Sequence, residues 1–439
     1  MKTSVRKRKF SPSTLTACCA LAFGGLMAGS AWAASADRIE DGVVFQPKSN
    51  LRLASQAGKR VHTFLQVVKP KITAVNHRNA PAGLVARGAH PDSYGGSPPY
   101  SGYAIETPGS LECIYEFTKT YDGCDPNITT KIATGGSHIV VIVDAYDYVD
   151  ALSDLTTFSA QFGLPAPTSS NFAVVYATGT QPASSSGTGW DLEASLDIEY
   201  AHAMAPNAIL VLMEAASSSF TDMFYAVEVA AEYAEIFGDG QVSMSWGAGE
   251  FSGETSWDAD LEGWTNATFY AASGDSWGTI YPCASPYVTC VGGVTHSRNS
   301  STLYLERQES WAFAGAGTSS QEAKPSFQSA ISGSGRLVPD VSAIADPNNG
   351  VWVYNCTYYG ACYWFQVGGT SAATPITAGL DNNAGRFAAN NTSYLTTLYK
   401  TKPLGSGFGD IKYGYCGVYY GLVAVLGWDN CTGWGSPRK

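Results

Sequence analysis

From about Glu106 onward, short runs that are apolar throughout alternate with stretches whose apolar positions recur every three or four residues. His138 to Val143, Ala173 to Tyr176 and Ala208 to Met213 read as such strands, and Val242 to Trp246 and Ala267 to Ala272 as further extended segments. Ala151 to Phe162, Trp190 to Ala203 and Thr221 to Ile236 have helical spacing. Strands without polar alternation, separated by helices, need cover on both faces. That pattern predicts a mainly parallel sheet between two helical layers. No internal repeat interrupts it, so one α/β domain over 106–439 is the simplest division. Upstream, residues 34–105 read as a leader or linker, because Ala80 to Tyr103 is dense in Gly, Pro and Ser.

The first 33 residues stand apart. Lys2, Arg6, Lys7, Arg8 and Lys9 precede an apolar stretch from Leu15 to Met27, which ends at Ala31-Trp32-Ala33. A basic head, a short apolar segment and a small-x-small ending predict a secretory signal peptide over 1–33. The alternatives are a membrane anchor, for which the stretch is short and broken by Gly24-Gly25, and a lipoprotein site at Cys18. Removing its five cations takes the net charge from −11 to −16. So acidic a chain is not expected to bind nucleic acid or an anionic membrane. No later segment is apolar enough to span a bilayer. Eight cysteines remain beyond residue 33, an even number that favours disulfides in an exported chain. Neighbour pairing is preferred among the many connectivities possible: Cys113 with Cys124, Cys283 with Cys290, Cys356 with Cys362, and Cys416 with Cys431. Zinc is not favoured, since no Cys-x-x-Cys or Cys/His spacing occurs.

Candidate chemistry starts at Gly368-Gly369-Thr370-Ser371, where an apolar run meets a helix-compatible one. Ser371 at a helix start can serve as a nucleophile or as a plain N-cap. Pro375 is expected in the first helical turn. A nucleophilic serine needs a base, and no histidine stands in an evident position. His62, His77 and His90 belong to the leader, His138 and His296 border strands, and His202 reads as structural. Glu193 and Asp197 are spaced i,i+4 and share one helical face. Either that face is solvated, or the two acids share a proton and one has a raised pKa. Such a pair can take a proton from a hydroxyl and return it to a leaving amine. Asp275, in Ser273-Gly274-Asp275, can sit in a simple turn or, if protonated, donate to an oxyanion.

Taken in order, Glu193-x-x-x-Asp197, Ser273-Gly274-Asp275 and Gly369-Thr370-Ser371-x-x-x-Pro375 resemble the sedolisins, the serine-carboxyl peptidases with a subtilisin-like α/β fold. Ser243-Met244-Ser245-Trp246-Gly247 and Val338-Pro339-Asp340-Val341-Ser342-Ala343 extend the resemblance over roughly Thr107 to Pro437. It implies Ser371 as nucleophile, Glu193 as general base and acid, Asp197 orienting Glu193, and Asp275 in the oxyanion hole. Asp144 and Trp246 match the positions that support this group. It further implies one structural calcium ion, held by the side chains of Asp410 and Asp429 and the carbonyls of Ile411, Val425 and Gly427. The family more often has Gly where Val425 stands. Sedolisins usually carry a large folded prosegment, whereas only about 70 residues lie here between the signal and Glu106.

The reading that follows is a secreted acid endopeptidase, expected as a monomer, acting on protein and peptide substrates through an acyl-enzyme. A carboxylate base works well below a pH of about 6.5, where an imidazole is already protonated. Three alternatives stay open: exopeptidase release of short N-terminal peptides, a non-catalytic binding protein, and a histidine-dependent enzyme using His202. Asn127 and Asn266 lie in Asn-x-Thr sequons, relevant only in a eukaryotic secretory route.

Overall fold

The structure, a computed structural model, describes residues 44–68, 97–99, 103–119, 123–401, 407–417 and 421–439. The expected signal segment 1–33, His77 and His90 lie outside the described residues. The central sheet runs in the spatial order Leu305–Ser310, Thr289–Arg298, Ala267–Ala272, Gly240–Met244, Ile139–Ala145, Ile209–Ala215 and Phe172–Tyr176, with Val341–Ile344 also paired to Thr289–Arg298. All these pairings are parallel except the one made by Leu305–Ser310.

The parallel sheet explains the absence of polar alternation, because both of its faces are covered. In Ile139–Ala145, the odd positions Ile139, Val141 and Val143 pack with Phe224, Val227 and Ala231 of helix α4 (Phe220–Ile236). The even positions Val140 and Ile142 pack with Leu155 of α2 (Ala151–Phe162) and with Ala194 and Ile198 of α3 (Trp190–Met204). Helix α5 (Thr370–Asn383) lies against α3. Gly379 lets the two approach: a Cβ there would stand 2.7 Å from the Met204 Cβ and 3.0 Å from the Ala201 carbonyl oxygen. Two shorter helices, α1 (Pro108–Ile114) and α6 (Asn391–Thr401), complete the helical set among the described residues.

The four neighbour disulfides are all formed, closing sequence separations of 11, 7, 6 and 15 residues. Within the 34–105 stretch, residues 44–68 carry three short strands. Val44–Phe45 pairs with Gln66–Val68, and Gln66–Val68 pairs in turn with Tyr363–Gly368. His62–Thr63 pairs with Trp246–Gly249. Among the described residues no helix is long and apolar enough to cross a membrane.

Candidate active site

The strand Tyr363–Gly368 delivers the chain to Gly369, which has φ +99° and forms the N-cap of α5. Only glycine fits there: a Cβ would stand 1.8 Å from the carbonyl oxygen of Phe64 and 2.7 Å from Asp275 Oδ2. Ser371 is the second residue of α5 and is fully buried. Its hydroxyl bonds to the Ser245 carbonyl at 3.2 Å and accepts from the Phe64 N–H at 3.1 Å. Pro375 lies beyond the first turn, inside the helix. Having no N–H, it leaves the carbonyl four residues back without its helical donor. That carbonyl belongs to Ser371, and the Ser245 hydroxyl lies 3.2 Å from it.

Glu193 and Asp197 do share a face of α3, but the face is not solvated. Every residue of α3 is buried, the two acids fully. Burial drives the Glu193 carboxyl well above its usual range. The Asp144 charge adds to this, and the Ser371 hydroxyl opposes it by favouring the ionised form. Neither Glu193 oxygen has a fully formed hydrogen bond among the described residues. Asp197 is also raised, by burial first and then by Asp144 and Glu193. Its hydrogen bond goes to the Ser245 hydroxyl at 2.9 Å rather than to Glu193. Asp144, at the carboxyl end of its strand, is pushed up to about 8 by burial alone, and both its oxygens lack hydrogen bonds among the described residues. Trp246 donates its indole N–H to the Val143 carbonyl at 2.7 Å, beside Asp144 rather than to it.

Asp275 follows the strand Ala267–Ala272. Its Oδ1 accepts from the N–H and the hydroxyl of Thr370, at 2.8 and 2.9 Å, and its Oδ2 accepts from Gln66 at 2.7 Å. Burial outweighs these bonds and raises the carboxyl to about 7. Ser371, Glu193, Asp197, Asp144 and Asp275 thus converge where the central strands end, the usual position of sites on such sheets. Sequence reasoning gave no role to Ser245, Thr370 or Gln66. The first two lie within motifs already singled out, but nothing local marked Gln66.

Among the described residues, no histidine is hydrogen-bonded to Ser371. His202 lies nine residues beyond Glu193 on α3, roughly 13 Å along the axis, and meets the Pro165 carbonyl at 2.8 Å. His296 is bound to Glu106 at 3.0 Å. His62 is buried beside Phe64, its ring depressed to about 3 by burial and by Arg52.

In the C-terminal tail, Asp410 Oδ2 accepts from Gly427 N–H at 3.2 Å and Asp429 Oδ2 from Val425 N–H at 2.8 Å. Asp429 Oδ1 accepts from the N–H groups of Cys431 and Thr432. Both carboxylates are therefore near the expected ligand residues, but Asp429 is engaged by amides. Asp410 Oδ1 alone is buried without a partner among the described residues. Among the described residues no group of three or more acidic, His or Cys side chains is arranged to hold a metal.

No family model matches the chain. It is 27% identical to sedolisin of Pseudomonas sp. (strain 101) over 361 residues, which is 73% of this chain and 59% of that protein. It is 30% identical to kumamolisin of Bacillus sp. (strain MN-32) over 370 residues, 75% of this chain and 62% of that protein. The chain thus spans about three fifths of the length of these curated relatives. Among solved structures, Pseudomonas sedolisin, a serine-carboxyl proteinase complexed with pseudo-iodotyrostatin, superposes with a TM-score of 0.61 at 24% identity, covering 76% of this chain and 95% of that one. That likeness establishes the subtilisin-like fold.

Proposed function

We propose that this chain, which is similar to sedolisin and kumamolisin over about three quarters of its length, is a member of the sedolisin family and an acid-acting serine endopeptidase with a glutamate base. The observation that carries this reading is the placement of the Ser371 hydroxyl next to a buried carboxyl cluster, with no imidazole bonded to it among the described residues. As the Ser371 oxygen bonds to a substrate carbonyl carbon, Glu193 takes its proton and later delivers it to the leaving amine. Asp197, tied to Ser245, and Asp144 keep the cluster sparsely charged, so that a proton is shared rather than lost. Asp275 is protonated below a pH of about 7. In that form it can donate to the oxygen that gains charge. Activity therefore falls on the alkaline side as Asp275 ionises, and on the acid side as the cluster takes up its last proton.

Endopeptidase action is favoured over release of short N-terminal peptides by one feature. The segment already in the cleft continues on both sides of Phe64, back to Val44 and forward to Val68. Secretion fits the four disulfides and the segment 1–33. A structural calcium would be held by Asp410, Asp429 and the carbonyls of Ile411, Val425 and Gly427; the unpartnered Asp410 oxygen supports it. The ion would steady the tail, with no part in the reaction.

The test is digestion of a denatured protein near pH 4. Ser371→Ala and Glu193→Gln should each abolish it, and His202→Ala should leave it intact. If His202→Ala removes activity and Glu193→Gln does not, the base is misassigned.

A further inference from the structure

Residues 44–68 do more than cover the site. The N–H of Phe64 lies 3.1 Å from the nucleophilic oxygen of Ser371, and its carbonyl lies against Gly369 beside Asp275. Upstream, His62–Thr63 pairs antiparallel with Trp246 and Gly247. Downstream, Gln66 and Val67 pair antiparallel with Gly368 and Val367. An extended strand held on both sides of one peptide bond is how a substrate is presented for cleavage. The bond so presented is Phe64–Leu65. The Phe64 ring is fully buried, with the His62 ring edge-on at 5.0 Å and the Arg52 guanidinium 5.6 Å from its centroid.

A second feature sets this strand apart from an ordinary substrate. Asn50, itself buried, reaches across the bond. Its Oδ1 accepts from the Thr63 hydroxyl at 2.7 Å, one residue before Phe64, and its Nδ2 donates to the Leu65 carbonyl at 2.8 Å, one residue after Phe64. Ser49 adds a 2.7 Å bond to the same Thr63 hydroxyl, and Arg52 anchors the segment to Ser276 at 2.7 Å.

We propose that Asn50 is a clamp that slows cleavage of the chain's own Phe64–Leu65 bond while residues 62–68 lie in the cleft. The proposal rests on the peptidase reading above. When the Ser371 oxygen bonds to the Phe64 carbonyl carbon, the C–N bond to Leu65 breaks and Glu193 gives its proton to the Leu65 amine. In an ordinary substrate that amine departs and water attacks the acyl carbon. Here the amine is retained by Asn50 through the Leu65 carbonyl and by the pairing of residues 66–68. It stays within reach of the acyl carbon, at a high effective concentration, and re-forms the bond with return of the proton to Glu193. Hydrolysis proceeds only when the clamp lets go. The buried ring also assigns a large aromatic residue to the position before the cleaved bond.

The experiment follows the intact full-length chain by mass after a shift from pH 7 to pH 4, with mapping of new termini. Wild type should be cut slowly, giving a terminus at Leu65, and Ser371→Ala should not be cut there. Asn50→Ala should be cut at the same bond at least tenfold faster. Asn50→Leu, which keeps about the same size but has neither the acceptor for Thr63 nor a donor to Leu65 at any pH, should behave like Asn50→Ala. Rates equal to wild type in both Asn50 variants, a first cut at another bond, or no cut in any variant would overturn the clamp. Digestion of an added denatured protein separates the two readings: if it occurs and depends on Ser371, only the clamp has failed, and if it never occurs, the peptidase reading has failed with it.

Discussion

Two sets of fully buried acids lie in this molecule, and burial has opposite results in them. Glu106 accepts from Arg298 at 2.7 Å, from His296 at 3.0 Å and from the Ser110 hydroxyl at 2.5 Å. Burial pulls its carboxyl up, but these partners, Arg298 foremost, hold it down at about 2. Glu193, Asp197 and Asp144 are as deeply buried and have no cation beside them among the described residues. Burial raises all three, and the charge of neighbouring acids adds to it for Glu193 and Asp197. A buried acid with a cation is a fixed charge that fastens the fold, here joining the start of α1 to the strand Thr289–Arg298. A buried acid among other acids is a proton store, poised to exchange with Ser371.

The sharpest way to break this comparison is to make both sets amides. Glu193→Gln should lower kcat/KM near pH 4 by about 10²–10⁴-fold, with no loss of melting temperature. Glu106→Gln should do the reverse. It leaves Arg298 buried without its counter-charge, a loss of about 3–5 kcal/mol in denaturant unfolding, with turnover per folded molecule retained. Equal stability in the two variants would erase the distinction.

A smaller effect is expected from pH. Asp144 and Asp275 bind protons more tightly folded than unfolded. Their contribution to stability is complete below a pH of about 4 and is lost as the pH rises through about 7 to 8. Glu106 has the opposite sign, contributing above a pH of about 4.5 and losing its effect as the pH falls toward 2. Melting curves from pH 2 to 9 should therefore peak in the mildly acidic range. A melting temperature that climbs steadily to pH 8 would contradict the assignment. Asp144→Asn sharpens this by removing one raised group. Its melting temperature should match wild type at pH 4 and exceed it at pH 8. The smallest effect is expected at the tail acids Asp410 and Asp429. If a calcium ion joins them, chelator should lower the melting temperature by a few degrees in wild type and not in Asp410→Asn; no shift in either would remove the ion from the account.

Much of this was legible in the order of residues. The sheet and its helices announce themselves because strands such as Ile139–Ala145 and Ile209–Ala215 are apolar along most of their length and helices such as α2 and α4 repeat apolar residues every three or four positions. Helix α2 falls at Ala151–Phe162, as its spacing predicts. Ser371, Glu193 and Asp275 were legible because glycines and i,i+4 acids leave local marks. Pro375 was misplaced by one turn, since its spacing from Ser371 says nothing of where the helix begins. The charge pattern of α3 was ambiguous, and only packing against α5 shows that the acidic face is inside. Phe64, Asn50 and Gln66 left no mark at all. Strands of two or three residues show no period, and the domain partners of His62–Thr63, Phe64 and Gln66–Val67 lie some 180 to 300 positions away in sequence; Asn50 sits in a single short turn with no pattern around it.

All four cystine bridges clasp neighbouring stretches, and none ties one layer of the protein to another. Each encloses so small a ring that it restricts the unfolded chain by only about 2–3 kcal/mol. A thiol reagent would accordingly loosen the margins and spare the scaffold. The Cys356–Cys362 link caps the hairpin whose second arm, Tyr363–Gly368, runs straight into Gly369 and Ser371. Reduction should thus be felt as slackened aim at the nucleophile well before it is felt as unfolding.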